Sequence, residues 1–256
     1  MKRAIGWLVV FAALAVGIVI YYKQTATPPP VPAPVAEAPQ EPAEPAIRHP
    51  LPEDAGAASL PRLEESDSVI TAALADLWGK TATSLFRTDT FIQRVVTTID
   101  NLPRRKLAER LRPVQPAPGQ FRTAKADDGL TVSADNGARY AAYVRLAKAI
   151  DSEKLVGLYV RFYPLFQQAY ENLGYPGSYF NDRLVSVIDH LLAAPDMPAT
   201  ARFVQPKVFY EFEDAELESR SAGEKIMMRI GTENAAVVKT KLREIRAALV
   251  ASQVKP

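Results

Sequence analysis

The sequence predicts a mainly α-helical protein: an N-terminal single transmembrane helix, a proline-rich linker, and one multi-helix globular domain, with a small β-hairpin as an open alternative. An uncharged apolar run spans residues 4–22, prolines crowd the stretch after it, and beyond Leu60 most apolar residues recur at three- and four-residue spacing. That spacing is typical of amphipathic helices. The predicted divisions are a cytoplasmic n-region 1–3, a membrane helix 4–22, a disordered linker 23–61, a helical domain 62–251 and a tail 252–256.

The apolar run is long enough to cross a bilayer. As a helix it spans about 28 Å, close to the roughly 30 Å of a hydrocarbon core. The apolar core of a cleaved signal peptide is shorter, which favours an uncleaved anchor. Lys2 and Arg3 precede the run and only Lys23 follows it closely, which predicts a cytoplasmic N-terminus. The absence of cysteine fits an oxidising compartment, and the layout is typical of a bacterial inner-membrane protein with a periplasmic domain.

The linker holds about half of the chain's 21 prolines, mixed with alanine and glutamate. Such a composition buries too little surface to offset its ordering entropy, and proline favours polyproline II. Its extended length is up to about 100 Å. We interpret it as a spacer, in preference to a proline-rich ligand at 28–32. His49 lies isolated in it and is expected to be solvated.

Helical periodicity and capping residues define the first part of the domain. Ser66 is predicted to cap a helix that continues through Leu77, and Thr88 or Asp89 to open another that ends at Asn101. The next two predicted helices are 104–111, stopped by a proline, and 139–150.

The longest predicted helix follows, capped by Asp151 or Ser152 and ended by Gly174, with Pro164 inside it. The remaining helices are predicted to begin with Ser178 and with Thr232 as caps. Two stretches alternate instead of following the helical period. The first, 121–133, contains Asp-Asp-Gly and indicates a hairpin; the second, 204–212, fits a strand or a helix start equally well.

Several chemistries are excluded. A net charge of +2 with no concentrated basic face argues against nucleic acid. With no cysteine and two histidines, neither a zinc site nor a multi-histidine site is expected. No glycine-rich loop precedes a helix, so no phosphate or dinucleotide cofactor is expected. The sequence predicts no catalytic residue, no metal and no cofactor.

A polar and aromatic constellation, the candidate corner, surrounds the turn near Gly174. Asn181 lies on an apolar stripe and should be buried, with tyrosines and the turn backbone as its partners. The corner is either a pocket for an extended or polar ligand or a packed network, and the network is favoured. Its residues are Arg161, Tyr163, Tyr175, Tyr179, Asn181, Asp182, Arg183, His190, Lys207, Tyr210 and Glu211.

Three other features have a default interpretation. An acid–base role for His190 is conceivable, but a half-buried boundary position is the commoner one. The acidic run 211–218 could pair with a basic partner or form a carboxylate dyad, and a solvated surface is the default. Lys239, Arg243 and Arg246 on the last helix could bind anionic lipid, and a solvated face is favoured.

Several motifs resemble one bacterial family. They are Leu-Tyr-Val-Arg-Phe-Tyr-Pro-Leu-Phe-Gln-Gln-Ala-Tyr at 158–170, Leu-Gly-Tyr-Pro-Gly-Ser-Tyr-Phe-Asn-Asp-Arg-Leu at 173–184, Val-Gln-Pro-Lys-Val-Phe-Tyr-Glu-Phe at 204–212 and Ser-Ala-Gly-Glu-Lys at 221–225. The chain beyond Leu60 resembles the domain of unknown function three thousand and fourteen. The resemblance implies the same layout of membrane helix and linker, and it implies no activity or catalytic residue.

The leading hypothesis is a non-catalytic binding or scaffolding module for an envelope protein or polymer. The alternative is an envelope enzyme that acts on glycan or peptide through carboxylates and tyrosines of the corner. A small-ligand sensor is a third hypothesis and would need a partner to pass on its signal. The sequence favours a protein that is not an enzyme and leaves the oligomeric state open.

Overall fold

The computed structural model describes residues 47–52 and 60–253. The predicted membrane helix 4–22 and most of the linker lie outside the described residues. Within the described residues, no helix combines the length and the apolarity needed to cross a membrane. The described fold is mainly helical, as predicted, and it includes a small antiparallel sheet.

The helices of the described chain lie close to the predicted periodic segments, with two additions after residue 212. In chain order they are α1 Asp67–Trp78, α2 Phe91–Asn101, α3 Ala141–Ala149, α4 Ser152–Asn172, α5 Phe180–Leu192, α6 Ala215–Ser219, α7 Ala222–Arg229 and α8 Thr232–Ala251. Short 3-10 turns occupy Leu63–Glu65, Ala82–Leu85, Glu109–Leu111 and Ala134–Tyr140.

Helices α1 and α2 have different caps from those predicted. The Ser66 hydroxyl does not accept from its helix; it donates to the carbonyl of Leu63 at 2.8 Å. The amides of Thr90, directly before α2, and of Phe91, its first residue, donate to the Asp67 carboxylate at 2.7 and 3.1 Å. Asp67 is the first residue of α1. Its carboxylate caps the start of the next helix, α2, in place of the predicted Thr88 or Asp89.

The predicted helix 104–111 is wrong, since only its last residues form a 3-10 turn. The backbone of residues 102–104 forms hydrogen bonds to the start of α7 instead. The carbonyls of Leu102 and Arg104 accept from the amides of Gly223 and Ala222, at 2.8 and 2.6 Å. These bonds satisfy the first amides of α7, so the segment works as a cap for a distant helix.

Helices α3, α5 and α8 begin after the predicted positions or without the predicted caps. Helix α3 follows the 3-10 turn 134–140 and so starts two residues late. Ser178 is no cap, because the Phe180 amide donates to Oε1 of Gln167 at 2.8 Å. Thr232 is the first residue of α8, and Gly231, at φ 92°, precedes it.

Helix α4 is capped by Asp151, one of its two predicted caps, and contains the predicted proline. The Asp151 carboxylate accepts from the amides of Glu153 and Lys154 at 2.9 and 3.1 Å. Pro164 lies inside the helix. Helix α4 contacts α1, α2, α5 and α8, so its apolar residues form the centre of the largest buried cluster.

The small sheet confirms the predicted hairpin and resolves the second alternating stretch. Residues 204–212 contain the end of one short strand and the whole of another, with a turn between them. The sheet is antiparallel throughout, and Phe203 faces Phe212 across its last pair. Its strands, in spatial order, are β1 Thr123–Ala126, β2 Gly129–Val132, β3 Phe203–Val204 and β4 Glu211–Phe212.

Candidate functional site

Residues 47–52, here called the strap, lie against the candidate corner. They belong to the predicted linker, yet the described structure packs them on the start of α5. The Asp182 carboxylate accepts hydrogen bonds from the backbone amides of Arg48 and His49, at 3.0 and 2.7 Å. Asp182 stands in the first turn of α5, where the helix dipole favours a negative charge.

The strap also contributes to the core. The backbone amide of Leu51 donates to the Tyr179 hydroxyl at 2.8 Å. The Leu51 side chain is buried and belongs to the same apolar cluster as Tyr163 and Phe180. The corner is therefore filled by the chain's own segment, through main-chain hydrogen bonds and one buried side chain.

The expectation that His49 is solvated was wrong. Its residue is half-buried, and its carbonyl accepts from the side-chain amide of Asn181 at 2.8 Å. Its ring Nδ1 lies 2.7 Å from Nε2 of Gln253. An amide nitrogen can only donate, so Nδ1 is the acceptor. The histidine thus joins the corner to the residues that follow α8.

Asn181 is fully buried, as predicted. Its Oδ1 accepts from the Tyr159 hydroxyl at 3.2 Å, which confirms the tyrosine partner. Its amide donates to the strap and not to the turn backbone. A buried amide left without these partners would cost about 1–3 kcal/mol, so the strap completes its hydrogen bonding.

The buried tyrosines of the corner act as hydrogen-bond donors. Burial raises the pKa of the Tyr159 hydroxyl well above its ordinary value, and nearby Tyr163 adds to the effect. Burial also raises the pKa of Tyr163, with a further contribution from Tyr179. The Tyr163 hydroxyl donates to Oε1 of Gln167 at 2.9 Å. Neither hydroxyl ionises near neutral pH, so neither supplies a general base.

A second polar cluster, the Asp100 node, lies at the end of α2. The buried Asp100 carboxylate accepts from Arg104 at 2.7 Å, from Arg183 at 3.1 Å and from the Tyr175 hydroxyl at 3.2 Å. Arg183 also donates to the Asp100 carbonyl at 2.7 Å. Sequence reasoning missed Asp100 and Arg104, although their four-residue spacing is a known ion-pair signal.

His190 lies apart from both clusters. Its Nε2 is 2.8 Å from the Ser221 hydroxyl and 3.9 Å from the Glu224 carboxylate. That hydroxyl accepts from the Glu224 amide at 3.1 Å, and the carboxylate accepts from the Ser221 amide at 3.0 Å. The serine thus belongs to a capping box. The next two amides, of Ala222 and Gly223, donate to the carbonyls of Arg104 and Leu102. No amide there is free to stabilise an oxyanion.

The structure therefore divides the eleven predicted residues. Three of them, Tyr179, Asn181 and Asp182, bind the strap, and Tyr163 packs on the Tyr179 ring. Tyr175 and Arg183 belong to the Asp100 node, and His190 contacts the capping box of α7. Arg161 is exposed and lies 5.3 Å from the Phe162 ring. Lys207, Tyr210 and Glu211 belong to the β3–β4 hairpin.

The described residues contain no group of three or more acidic or histidine side chains arranged to hold a metal ion. A cleft of about 520 Å³ lies beside the start of α8, lined in part by Asn136 and Asn234. The side-chain amides of both residues form hydrogen bonds within the protein. Asn136 donates to the Arg229 carbonyl at 3.0 Å, and Asn234 donates to the Gly137 carbonyl at 3.0 Å. We assign no ligand to this cleft.

Comparison with known proteins gives one match. A family model described as "Protein of unknown function (DUF3014)" matches residues 91–246, more than half of the 256-residue chain. No curated protein and no solved structure matches. The matched range contains the Asp100 node, α5 and the β3–β4 hairpin, whereas the strap lies outside it. This confirms the resemblance drawn from the motifs, and the chain belongs to the DUF3014 family of proteins of unknown function.

Proposed function

We propose that this chain is a non-catalytic binding or scaffolding module for a protein or polymer of the bacterial cell envelope. In this proposal residues 4–22 anchor it in the inner membrane, with the N-terminus in the cytoplasm. The linker then carries the folded domain into the periplasm. The anchor and its orientation rest on the length of the apolar run and on the flanking charges.

The observation that carries the proposal is the strap. The Asp182 and Tyr179 side chains accept hydrogen bonds from its main chain, and its Leu51 side chain is buried in the domain. The end of the linker is therefore fastened to the domain by packing as well as by the covalent chain. The attachment fixes the point on the domain from which the spacer starts, which supports a tethered binding module.

The same observation weakens the enzymatic alternative. That hypothesis needs two carboxyl groups facing each other across an open cleft, about 5–10 Å apart. At the corner, the Asp182 carboxylate is occupied by two strap amides. The Asp100 carboxylate is occupied by two arginines and a tyrosine. Neither carboxylate is available to a substrate, which supports binding over catalysis.

The strap also sets the reach that we propose. With residues 47–52 fixed on the domain, the spacer is the part from 23 to 46. Fully extended as polyproline II, that part covers about 75 Å. This is shorter than the whole linker would allow. A test of the reach should therefore delete residues within 23–46.

The test compares three full-length chains in intact cells: the native chain, one that lacks residues 27–46, and one in which 27–46 is replaced by a Gly/Ser segment of equal length. Amine-reactive crosslinking followed by mass spectrometry identifies the partners. We expect the shortened chain to lose partner adducts and the equal-length chain to keep them. Identical adducts from the native and shortened chains would contradict the proposed reach.

A further inference from the structure

The turn of the β3–β4 hairpin, residues 205–210, is here called the hairpin tip. It presents Val208 and Phe209, which are 76% and 70% exposed. They are the two most exposed of the large apolar side chains in the described structure, and they are adjacent. Apolar side chains scattered singly on a surface are ordinary, but an adjacent pair on a projecting turn calls for an explanation.

The hairpin tip is built on an ordered base. The guanidinium of Arg229 lies over the rings of Phe121, Phe203 and Phe212, at 5.9, 5.8 and 4.9 Å. It also donates to the Tyr210 carbonyl at 3.2 Å. This cation–π arrangement fixes both strands under the turn. The exposed pair is therefore held in place by the sheet beneath it.

The turn is also braced from within. The Gln205 side-chain amide donates to the carbonyl of Val208 at 3.1 Å. On the other strand, the amide of Phe212 donates to Glu218 at 2.9 Å, which closes the outer edge of β4. A partner strand would find that amide already occupied, which disfavours strand addition at β4.

Two exposed carboxylates follow the hairpin tip, one on β4 and one directly after it. Glu211 faces Val204 across the strand pair, and side chains two apart point to the same side of a strand. Glu211 and Glu213 therefore share the face opposite the buried Phe212. Both are exposed, and neither forms an ion pair with a described residue. Lys207 adds a single positive charge at the tip.

We propose that the hairpin tip docks into a protein partner that offers an apolar pocket bordered by lysine or arginine. Both apolar side chains are largely exposed, so an apolar pocket can enclose them, and the carboxylates of Glu211 and Glu213 complement basic residues beside such a pocket. An anionic bilayer would repel the same carboxylates, which favours a protein over a lipid surface. This inference deepens the proposed binding function and rests on it.

The test places a photocrosslinker in the full-length chain, as Phe209→p-benzoylphenylalanine, and irradiates intact cells. Val69 on α1 is also partly exposed and serves as the matched control position. We expect a discrete protein adduct at 209, joined to a peptide that contains lysine or arginine, and none at 69. Adding Glu211→Lys and Glu213→Lys should reduce the adduct at least about tenfold. Unchanged circular dichroism and melting temperature would show that these variants fold.

Other outcomes would overturn the inference. They are a lipid adduct at position 209, binding of the purified chain to phosphatidylglycerol vesicles through Phe209, a protein adduct that charge reversal leaves unchanged, or no adduct at 209. The two proposals fail differently. Protein adducts at Val69 but none at Phe209 would overturn the tip and leave the module intact. Adducts that are insensitive to deletion of 27–46 would instead contradict the proposed tethered function.

Discussion

Asp182 and His49 are 133 residues apart in the chain, yet the Asp182 carboxylate accepts a hydrogen bond from the His49 backbone amide at 2.7 Å. The second oxygen of the same carboxylate accepts from the amide of Arg48 at 3.0 Å. One side chain thus satisfies two consecutive amides of the strap. The strap is bound through its backbone, so its attachment depends on the corner more than on its own side chains.

Replacing this carboxylate should loosen the strap. In Asp182→Asn one acceptor oxygen becomes a donor that faces a backbone amide, and we expect unfolding to cost about 1–3 kcal/mol less. Trypsin should then cleave after Arg48 faster than in the native chain, because cleavage requires local detachment. Asp196→Asn is the control, since Asp196 is exposed and its ion pair with Lys239 is long, at 3.8 Å. Equal cleavage rates in the three proteins would contradict the attachment.

The Asp100 node should stabilise the fold through its buried member. The Asp100 side chain is 5% exposed, whereas its partner Arg104 is 54% exposed. Asp100→Asn leaves Arg183 without its counter-charge, and we expect a loss of about 3 kcal/mol or more. Arg104→Gln should cost no more than about 1 kcal/mol, because the Arg104 side chain is more than half exposed and Arg183 still pairs with Asp100. Urea unfolding measures both, and equal losses would show that burial does not decide the energetics.

Glu218 should make the protein less stable in acid. Burial alone would raise its pKa, but hydrogen bonds from Lys225 and the Phe212 amide, with the charges of Lys225 and Arg229, hold the pKa below the usual 4.5. The stability that it contributes is therefore present above the unfolded pKa and is lost as pH falls through the folded pKa.

Glu218→Gln removes that contribution, so stability measured by urea unfolding from about pH 7 down to about pH 3 should fall less than in the native chain. Glu216→Gln is the control, because its side chain is solvated and the native pH dependence should remain. A native slope in Glu218→Gln would mean that the ion pair with Lys225 contributes nothing.

Gly223 should tolerate no side chain. A Cβ there would lie 2.6 Å from Cδ2 of Leu191 and 3.1 Å from the Leu102 carbonyl oxygen. Gly223→Ala is expected to destabilise the protein by about 1–3 kcal/mol through overpacking. At Gly157 in α4 a Cβ would meet no atom within 4 Å, so Gly157→Ala should be neutral or stabilise by up to about 1 kcal/mol. Thermal unfolding compares the two, and a stable Gly223→Ala would contradict the close contact.

The helices that the sequence predicted well are those with long local periodicity. In α4, Leu155, Phe162 and Phe166 follow the three- and four-residue spacing whatever the rest of the chain does. Caps failed where the acceptor came from elsewhere: Asp67 caps α2 and Gln167 caps α5. A Ser-x-x-Glu signal at Ser221 was present and overlooked, and it marks α7.

The candidate site was predictable only in part, because its partners are distant in the chain. The burial of Asn181 follows from its place on an apolar stripe, but its partner His49 lies 132 residues away. Arg183 reaches Asp100 over 83 residues. Their composition led us to place residues 47–52 in a solvated linker. Composition alone does not show that the Leu51 side chain is buried in the core. The Arg183–Asp100 pair is set by the packing of α2 against α5, and the Asn181–His49 pair by the strap on α5.

Hydrogen exchange of the Arg48, His49 and Leu51 backbone amides tests most directly whether the strap fills the corner. We predict that these amides exchange on the order of 100-fold or more slowly than in a free peptide of residues 45–54, because each donates to Asp182 or Tyr179 and opens only with the strap. Exchange at the rate of the free peptide would mean that the strap is detached in solution, and the corner would then be an open surface.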